Sequence, residues 1–213
     1  MSLETLIDQL ADDLAPVRPR RFWVDVVIML LIAAIELALL FAIGFANLDL
    51  HRIETQPTVG WRLASLGLIS LAAGFAAIRS FDPTYSAKRS IRWLVTIIGC
   101  CVVGGLFLGS VPEGVPALLR RLEWTNGIGC ASHISLLSTP PLVGLILLGR
   151  RGAPTDMRRT RLLVGLAAAA WGAFAFVFSC PFNDPVFIIT WYGLGCTATV
   201  LLARYVLPRL VRW

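Results

Sequence analysis

Five cysteines, two histidines and one deeply placed carboxylate are the side chains of this 213-residue chain with chemistry to offer. Cys100 and Cys101 adjoin near the middle of one apolar run, and Cys196 lies near the middle of another, where a thiol serves as small apolar filler. Cys130 and Cys180 stand instead near the ends of two runs. His133 follows Cys130 by three residues, on the same helical face and one turn deeper. Such a Cys-x-x-His pair could give a soft metal two ligands, with Cys180 a third and Asp184 a fourth. A histidine at that depth can equally be a hydrogen-bonded rim residue, and the two thiols can equally be inert. Glu36 lies about 21 Å along the first apolar run at 1.5 Å per residue. An acid at such depth is a candidate proton or cation site, or else a carboxyl bonded to a neighbouring helix. No Cys-x-x-Cys pair, His-Glu-x-x-His, phosphate loop or serine nucleophile elbow occurs. No enzyme and no cofactor is expected.

These residues are carried by six apolar runs, at 22–45, 61–78, 93–111, 128–148, 162–182 and 186–203. Each reaches the roughly 17–25 residues that cross about 30 Å of hydrocarbon as a helix. Hydrophobic residues make up 57% of the chain and charged ones 15%, with a mean hydropathy of +0.75. Soluble domains carry about 25% charged residues. A soluble enzyme, a secreted disulfide scaffold and a disordered chain are thereby excluded. The expected fold is an all-α polytopic membrane bundle of six transmembrane helices.

The net charge of +6 reads as topology rather than as a nucleic-acid surface. One side of a six-crossing arrangement collects Arg18, Arg20 and Arg21, then Arg79, Lys88, Arg89 and Arg92. It also collects Arg150, Arg151, Arg158, Arg159 and Arg161, and finally Arg204, Arg209 and Arg212. The other side keeps only Arg52, Arg62, Arg120 and Arg121. The positive-inside bias makes both termini cytoplasmic. It also places Cys130 and Cys180 at one outer surface, although they lie 50 residues apart in sequence. In a bacterial membrane that surface faces the oxidising periplasm, where a disulfide can persist. No cleavable signal peptide is expected, because the first 15 residues are acidic and the first apolar run is too long. Short loops and the lack of an internal repeat lower the case for an inverted-repeat transporter.

The expected domains are a cytoplasmic helix and basic linker over 1–21, a transmembrane domain over 22–206 and a basic tail over 207–213. In the first, Leu3, Leu6, Ile7, Leu10 and Leu14 fall on one helical stripe. Ser2 can cap that helix and Pro16 ends it. Its other face carries Glu4, Asp8, Asp12 and Asp13. Surface-lying membrane helices carry Lys and Arg there instead, so the pattern favours a basic protein partner over the bilayer.

Taken together, several stretches resemble the NrsF family of bacterial six-span anti-sigma factors. Leu6-Ile7 and then Leu10-Ala11-Asp12-Asp13-Leu14-Ala15-Pro16-Val17 resemble the family's opening helix. Cys130, Pro140-Pro141 and Arg150-Arg151-Gly152-Ala153-Pro154-Thr155 resemble its fourth span and following loop. The most specific stretch is Cys180-Pro181-Phe182-Asn183-Asp184-Pro185-Val186-Phe187 with Thr190-Trp191-Tyr192-Gly193-Leu194-Gly195. One departure is Ser179, where many members carry His, which leaves the thiol pair as the stronger inference.

The resemblance implies a bacterial inner-membrane regulator that holds an extracytoplasmic-function sigma factor, with no direct nucleic-acid binding. Leu3, Leu6, Ile7, Leu10, Asp13 and Leu14 would contact that partner. Cys130 and Cys180 would be sensing thiols for oxidative or heavy-metal stress, with His133 as a further metal ligand. The rival reading is a small transporter or channel built on Glu36.

Overall fold

The computed structural model describes residues 21–46, 56–109, 121–152 and 154–210, with side chains through 206. The regular secondary structure of these residues is helical: α1 Phe22–Ala42, α2 Pro57–Arg79, α3 Ala87–Leu108, α4 Trp124–Leu137, α5 Thr139–Gly149, α6 Met157–Phe176 and α7 Pro185–Leu210. The expected docking residues Leu3, Leu6, Ile7, Leu10, Asp13 and Leu14 lie outside the described residues, as does most of the 1–21 segment.

Local sequence explains where the helices stop. Gly44, at φ +71°, closes α1, with the Phe45 N–H bonded to the Leu40 carbonyl and the Gly44 N–H to that of Phe41. This is the double bond pattern of a left-handed glycine cap. Pro57 opens α2 at a position where its missing N–H costs nothing. Between α4 and α5 the pair Pro140-Pro141 removes two backbone donors, which bends one long apolar segment, Trp124–Gly149, rather than ending it. Ser138 and Thr139 return hydroxyl bonds to the Ile134 and Leu136 carbonyls at that bend.

At the centre stands α6. Leu163, Val164, Ala168, Ala169, Ala173 and Ala175 have no exposed surface, and the helix touches α2, α3, α4, α5 and α7. Its widest interface is with α2, where Ala73, Ala76 and Ala77 face an equally small-sided strip at Ala167, Ala168 and Ala170. Apolar side chains gain nothing from burial against each other in lipid, so close packing of small residues is what holds such helices together. The helices around it turn large side chains outward: Leu39 is 59% exposed, Phe107 86% and Leu136 65%. A belt of that kind is an aggregation liability in water and the required surface in hydrocarbon.

Among the described residues, five segments are long and apolar enough to cross a membrane: α1, α2, α3, the bent α4–α5 segment and α7. The fifth expected span, 162–182, differs from the structure in two ways. Its helix begins earlier, with Arg158, Arg159 and Arg161 in the opening turns, which lowers its apolarity. Asp156 caps this start, accepting from the Arg159 N–H at 3.1 Å and pairing with its guanidinium at 2.7 Å. The helix also ends at Phe176, so Cys180 sits in a non-helical corner over 177–184 and not on a helix end.

Candidate functional site

Cys130 is positioned by helix contacts that leave no space for side chains. Gly127, one turn before it, lies against the Trp191 indole so closely that a Cβ there would overlap the ring. The Trp191 Nε1–H in turn donates to the Leu122 carbonyl at 2.7 Å. Gly195 of α7 approaches the Ala131 backbone at 3.0 Å from an added Cβ, and Ser135 Oγ donates to the Gly195 carbonyl. Cys130 is therefore held on a face clamped between α6 and α7, where it is buried.

Cys180 is positioned by an arginine. Arg62, on the first turns of α2, is only 3% exposed. Its guanidinium donates to the carbonyls of Phe182, Val177 (3.0 Å) and Cys180 (3.4 Å). These carbonyls lie just beyond the end of α6, where the helix leaves acceptors unsatisfied and the macrodipole favours a cation. Asp184 stiffens the other end of the corner, accepting from the Val186 N–H at 2.9 Å and lying 3.7 Å from Arg121. Asn183 donates to Gln56 at 2.7 Å, tying the corner to the start of α2.

The corner and the clamp bring the two expected thiols together. Cys130 and Cys180 are free, buried and packed in one apolar cluster, with the Cys180 thiol 4.0 Å from the Phe182 carbonyl. Tyr192 is buried in the same cluster as both thiols, and Arg62 holds the backbone of the residue that carries one of them. A disulfide between two such residues needs Cα atoms within roughly 4.4–6.8 Å. Cys100, Cys101 and Cys196 are also free, and Cys196 lies 3.6 Å from the Ala169 carbonyl of α6.

His133 does not join them. Its ring stacks on Phe176 at 5.6 Å and 6°, and Nδ1 lies 2.7 Å from the Gly129 carbonyl, one turn back on its own helix. It faces the exposed side of α4, while Cys130 faces inward. Among the described residues no three His, Cys, Asp or Glu side chains are grouped to hold a metal ion. The three-ligand set Cys130, Cys180 and His133 is thus not assembled: i,i+3 spacing put two residues on one helical sector, but the helix is rotated so that the cysteine is buried while the histidine stays exposed, its ring laid on Phe176.

Glu36 is buried on α1 and accepts a 2.8 Å hydrogen bond from Trp171 Nε1 on α6. Its other oxygen has no partner. Beside this bond lies a cavity of about 340 Å³ lined by apolar side chains of α1, α2, α5 and α6, Trp171 among them.

Sequence reasoning missed three of these side chains. Arg62 was counted as a loop charge that sets topology, yet it stands inside the apolar run 61–78, and an arginine there was the signal to ask what it pairs with. Tyr192 and Trp171 carry no signal of their own, since aromatic residues are ordinary in apolar helices.

Fold and composition together define an all-α protein whose several long apolar helices are those of a membrane protein, with two free thiols buried in one cluster. The chain belongs to the NrsF family, described as negative regulator of sigma F, whose model matches residues 10–213. That membership bears out the resemblance carried by the Cys180–Gly195 stretch. It makes the protein a negative regulator of a sigma factor, a regulatory role and not an enzymatic one. No curated protein and no solved structure matches the chain.

Proposed function

We propose that this protein is an anti-sigma factor of the bacterial inner membrane that sequesters an extracytoplasmic-function sigma factor and releases it on thiol stress. The chain crosses the membrane six times, with α6 as the fifth span, and both termini are cytoplasmic. The stripe Leu3, Leu6, Ile7, Leu10 and Leu14, with Asp13 beside it, binds the sigma factor. Cys130 and Cys180 respond at the outer side to an oxidant or to a thiol-binding heavy metal.

The observation that carries this reading is the burial of two free thiols in one cluster, at a corner whose carbonyls an interior arginine of α2 holds. From that corner a continuous set of contacts leads inward. Arg62 holds the end of α6, α6 donates through Trp171 to Glu36, and Glu36 belongs to α1, which leads back to the tail. Moving a two-state equilibrium from 1:99 to 99:1 takes about 5.5 kcal/mol of differential stabilisation. A disulfide supplies typically about 2–4 kcal/mol, so bond formation provides much of such a shift and repacking of the corner the rest.

The test is a reporter of sigma-dependent transcription together with fractionation of the sigma factor between membrane and cytosol. Cys130→Ser, Cys180→Ser and the double variant share one phenotype: the sigma factor stays membrane-bound and oxidant no longer induces the reporter. Additive partial defects would show that the cysteines act separately.

A further inference from the structure

The cavity beside the Glu36–Trp171 bond is a crevice that opens on the outside of the bundle. Leu30, Leu71 and Phe75 line it and are themselves exposed. Its occupant therefore enters from the surface that the outward apolar belt assigns to hydrocarbon. On α2 the lining runs from Ser70 to Ile78, about 12 Å of helix at 1.5 Å per residue. Half of a hydrocarbon core about 30 Å thick is about 15 Å, so the crevice is roughly one leaflet deep. Trp171 lines it as well, with its Nε1–H already bonded to Glu36. The indole thus presents carbon and no spare donor. Gly74 lies on the wall, and a Cβ added there meets nothing within 4 Å.

A cation stands at one end of this crevice. Arg79 follows Ile78, is exposed, and lies with its guanidinium carbon 4.8 Å from the Phe22 ring centre and 5.0 Å from that of Phe75. The two rings meet edge to face at 5.4 Å. Phe75 belongs to the wall, so the ring that carries the cation also faces the crevice. Arginine attracted to ring faces still has planar N–H groups suited to a phosphate. Trp23, exposed beside Phe22, is of the type that settles at headgroup level. We propose that the crevice binds one anionic phospholipid, with an acyl chain laid along α1 and α2 against α5 and α6 and its phosphate at Arg79. Arg79 is on the side proposed above as cytoplasmic, which puts the lipid in the leaflet whose anionic headgroups attract basic side chains. Only the choice of leaflet rests on that orientation; the crevice and its arginine depend neither on it nor on the thiols.

The experiment titrates the full chain in detergent with palmitoyl-oleoyl phosphatidylglycerol, or with phosphatidylcholine of the same chains, and counts bound lipid by native mass spectrometry. The parent holds one phosphatidylglycerol about fivefold more tightly than phosphatidylcholine, the ratio one basic side chain near an anionic surface supplies. Excess inorganic phosphate does not displace it, because the acyl chain is the anchor. Gly74→Leu fills the crevice and abolishes the tight binding of both lipids. Leucine suits a helix better than glycine and its Cβ is unobstructed, so the melting temperature without added lipid does not fall. Arg79→Gln brings phosphatidylglycerol down to the level of phosphatidylcholine, and Arg79→Lys keeps the preference. Should Gly74→Leu fail to fold, the two Arg79 variants decide. Equal affinity of the parent for both lipids overturns the proposal, as does a folded Gly74→Leu protein that binds like the parent. Displacement by inorganic phosphate would reveal an anion site without a chain, and a dimer lost in Gly74→Leu would reveal a second copy over the crevice; either overturns it. Sigma factor and oxidant are absent from these measurements, so a failure here leaves the regulatory reading standing, and an unresponsive reporter leaves the lipid site standing.

Discussion

Glu36 and Trp171 show how a single buried bond decides what a residue is for. The carboxyl accepts one 2.8 Å hydrogen bond and its second oxygen accepts none. The sequence leaves Glu36 open between an ion site and a structural carboxyl, and the bond to α6 supplies the structural partner. Glu36→Gln keeps an oxygen that can accept from Trp171, so sigma-factor retention and induction survive, and the melting temperature in detergent moves little. Trp171→Phe removes the donor and leaves both oxygens unpaired, a change worth about 1–3 kcal/mol. It therefore lowers the melting temperature more than Glu36→Gln does. Loss of induction in a normally expressed Glu36→Gln protein would show instead that the carboxyl acts in signalling.

At the scale of elements, α6 is the piece on which the others depend. Gly172 lies so close to the α4–α5 bend that a Cβ would overlap Ser138 Oγ, with the Ile134 carbonyl at 2.6 Å and the Ser138 backbone nitrogen at 2.8 Å. None of these is the free end of a flexible chain. Gly172→Leu should thus separate α6 from the bend and cost typically about 1–3 kcal/mol or more of overpacking strain, read as a fall in thermal stability. Because Cys130 precedes that bend and Cys180 follows α6, the same variant should slow disulfide formation between them, measured by thiol titration after oxidant. The N-terminal stripe makes a separate element-level prediction. Leu6→Asp with Leu10→Asp places charge on the apolar face and should move the sigma factor to the cytosol with constitutive expression of its targets. Continued membrane retention by the double variant would refute docking through that helix.

For the whole molecule, the distribution of arginine makes orientation testable. On the positive-inside reading, alkaline phosphatase joined after Thr84 or Pro154 stays on the cytoplasmic side and is inactive, and joined after Asn183 it is exported and active. The opposite pattern would move the thiol corner to the reducing side, where a disulfide sensor has little purpose. The same experiment settles α6. Its opening arginines keep it below the apolarity of the other spans, yet helices on all sides cover it. A helix enclosed by protein needs small faces more than a greasy exterior, and Ala167–Ala170 provide them.

Much of this was determined by the sequence alone. Long apolar runs with few charges dictate membrane-type helices because backbone polar groups in hydrocarbon must bond within their own segment. The Cys180–Gly195 stretch carries the family resemblance, and alternating loop charge places Cys130 and Cys180 on one side by topology. Tertiary structure decided the rest. Hydropathy measures transfer of side chains and not backbone geometry, so it ran the fifth span to 182, whereas the helix ends at Phe176 and the corner owes its shape to Arg62. Periodicity places His133 near Cys130 on a helix but cannot tell how that helix is rotated against its neighbours, and the rotation turns His133 outward onto Phe176. Arg62 bonds the corner that carries Cys180, and Cys130, Cys180 and Tyr192 share one buried cluster, although they come from separate elements of the chain. Only the packing of α2, α4 and α7 around the end of α6 could bring them together, since that packing is set by the fit of side-chain surfaces and by no local pattern.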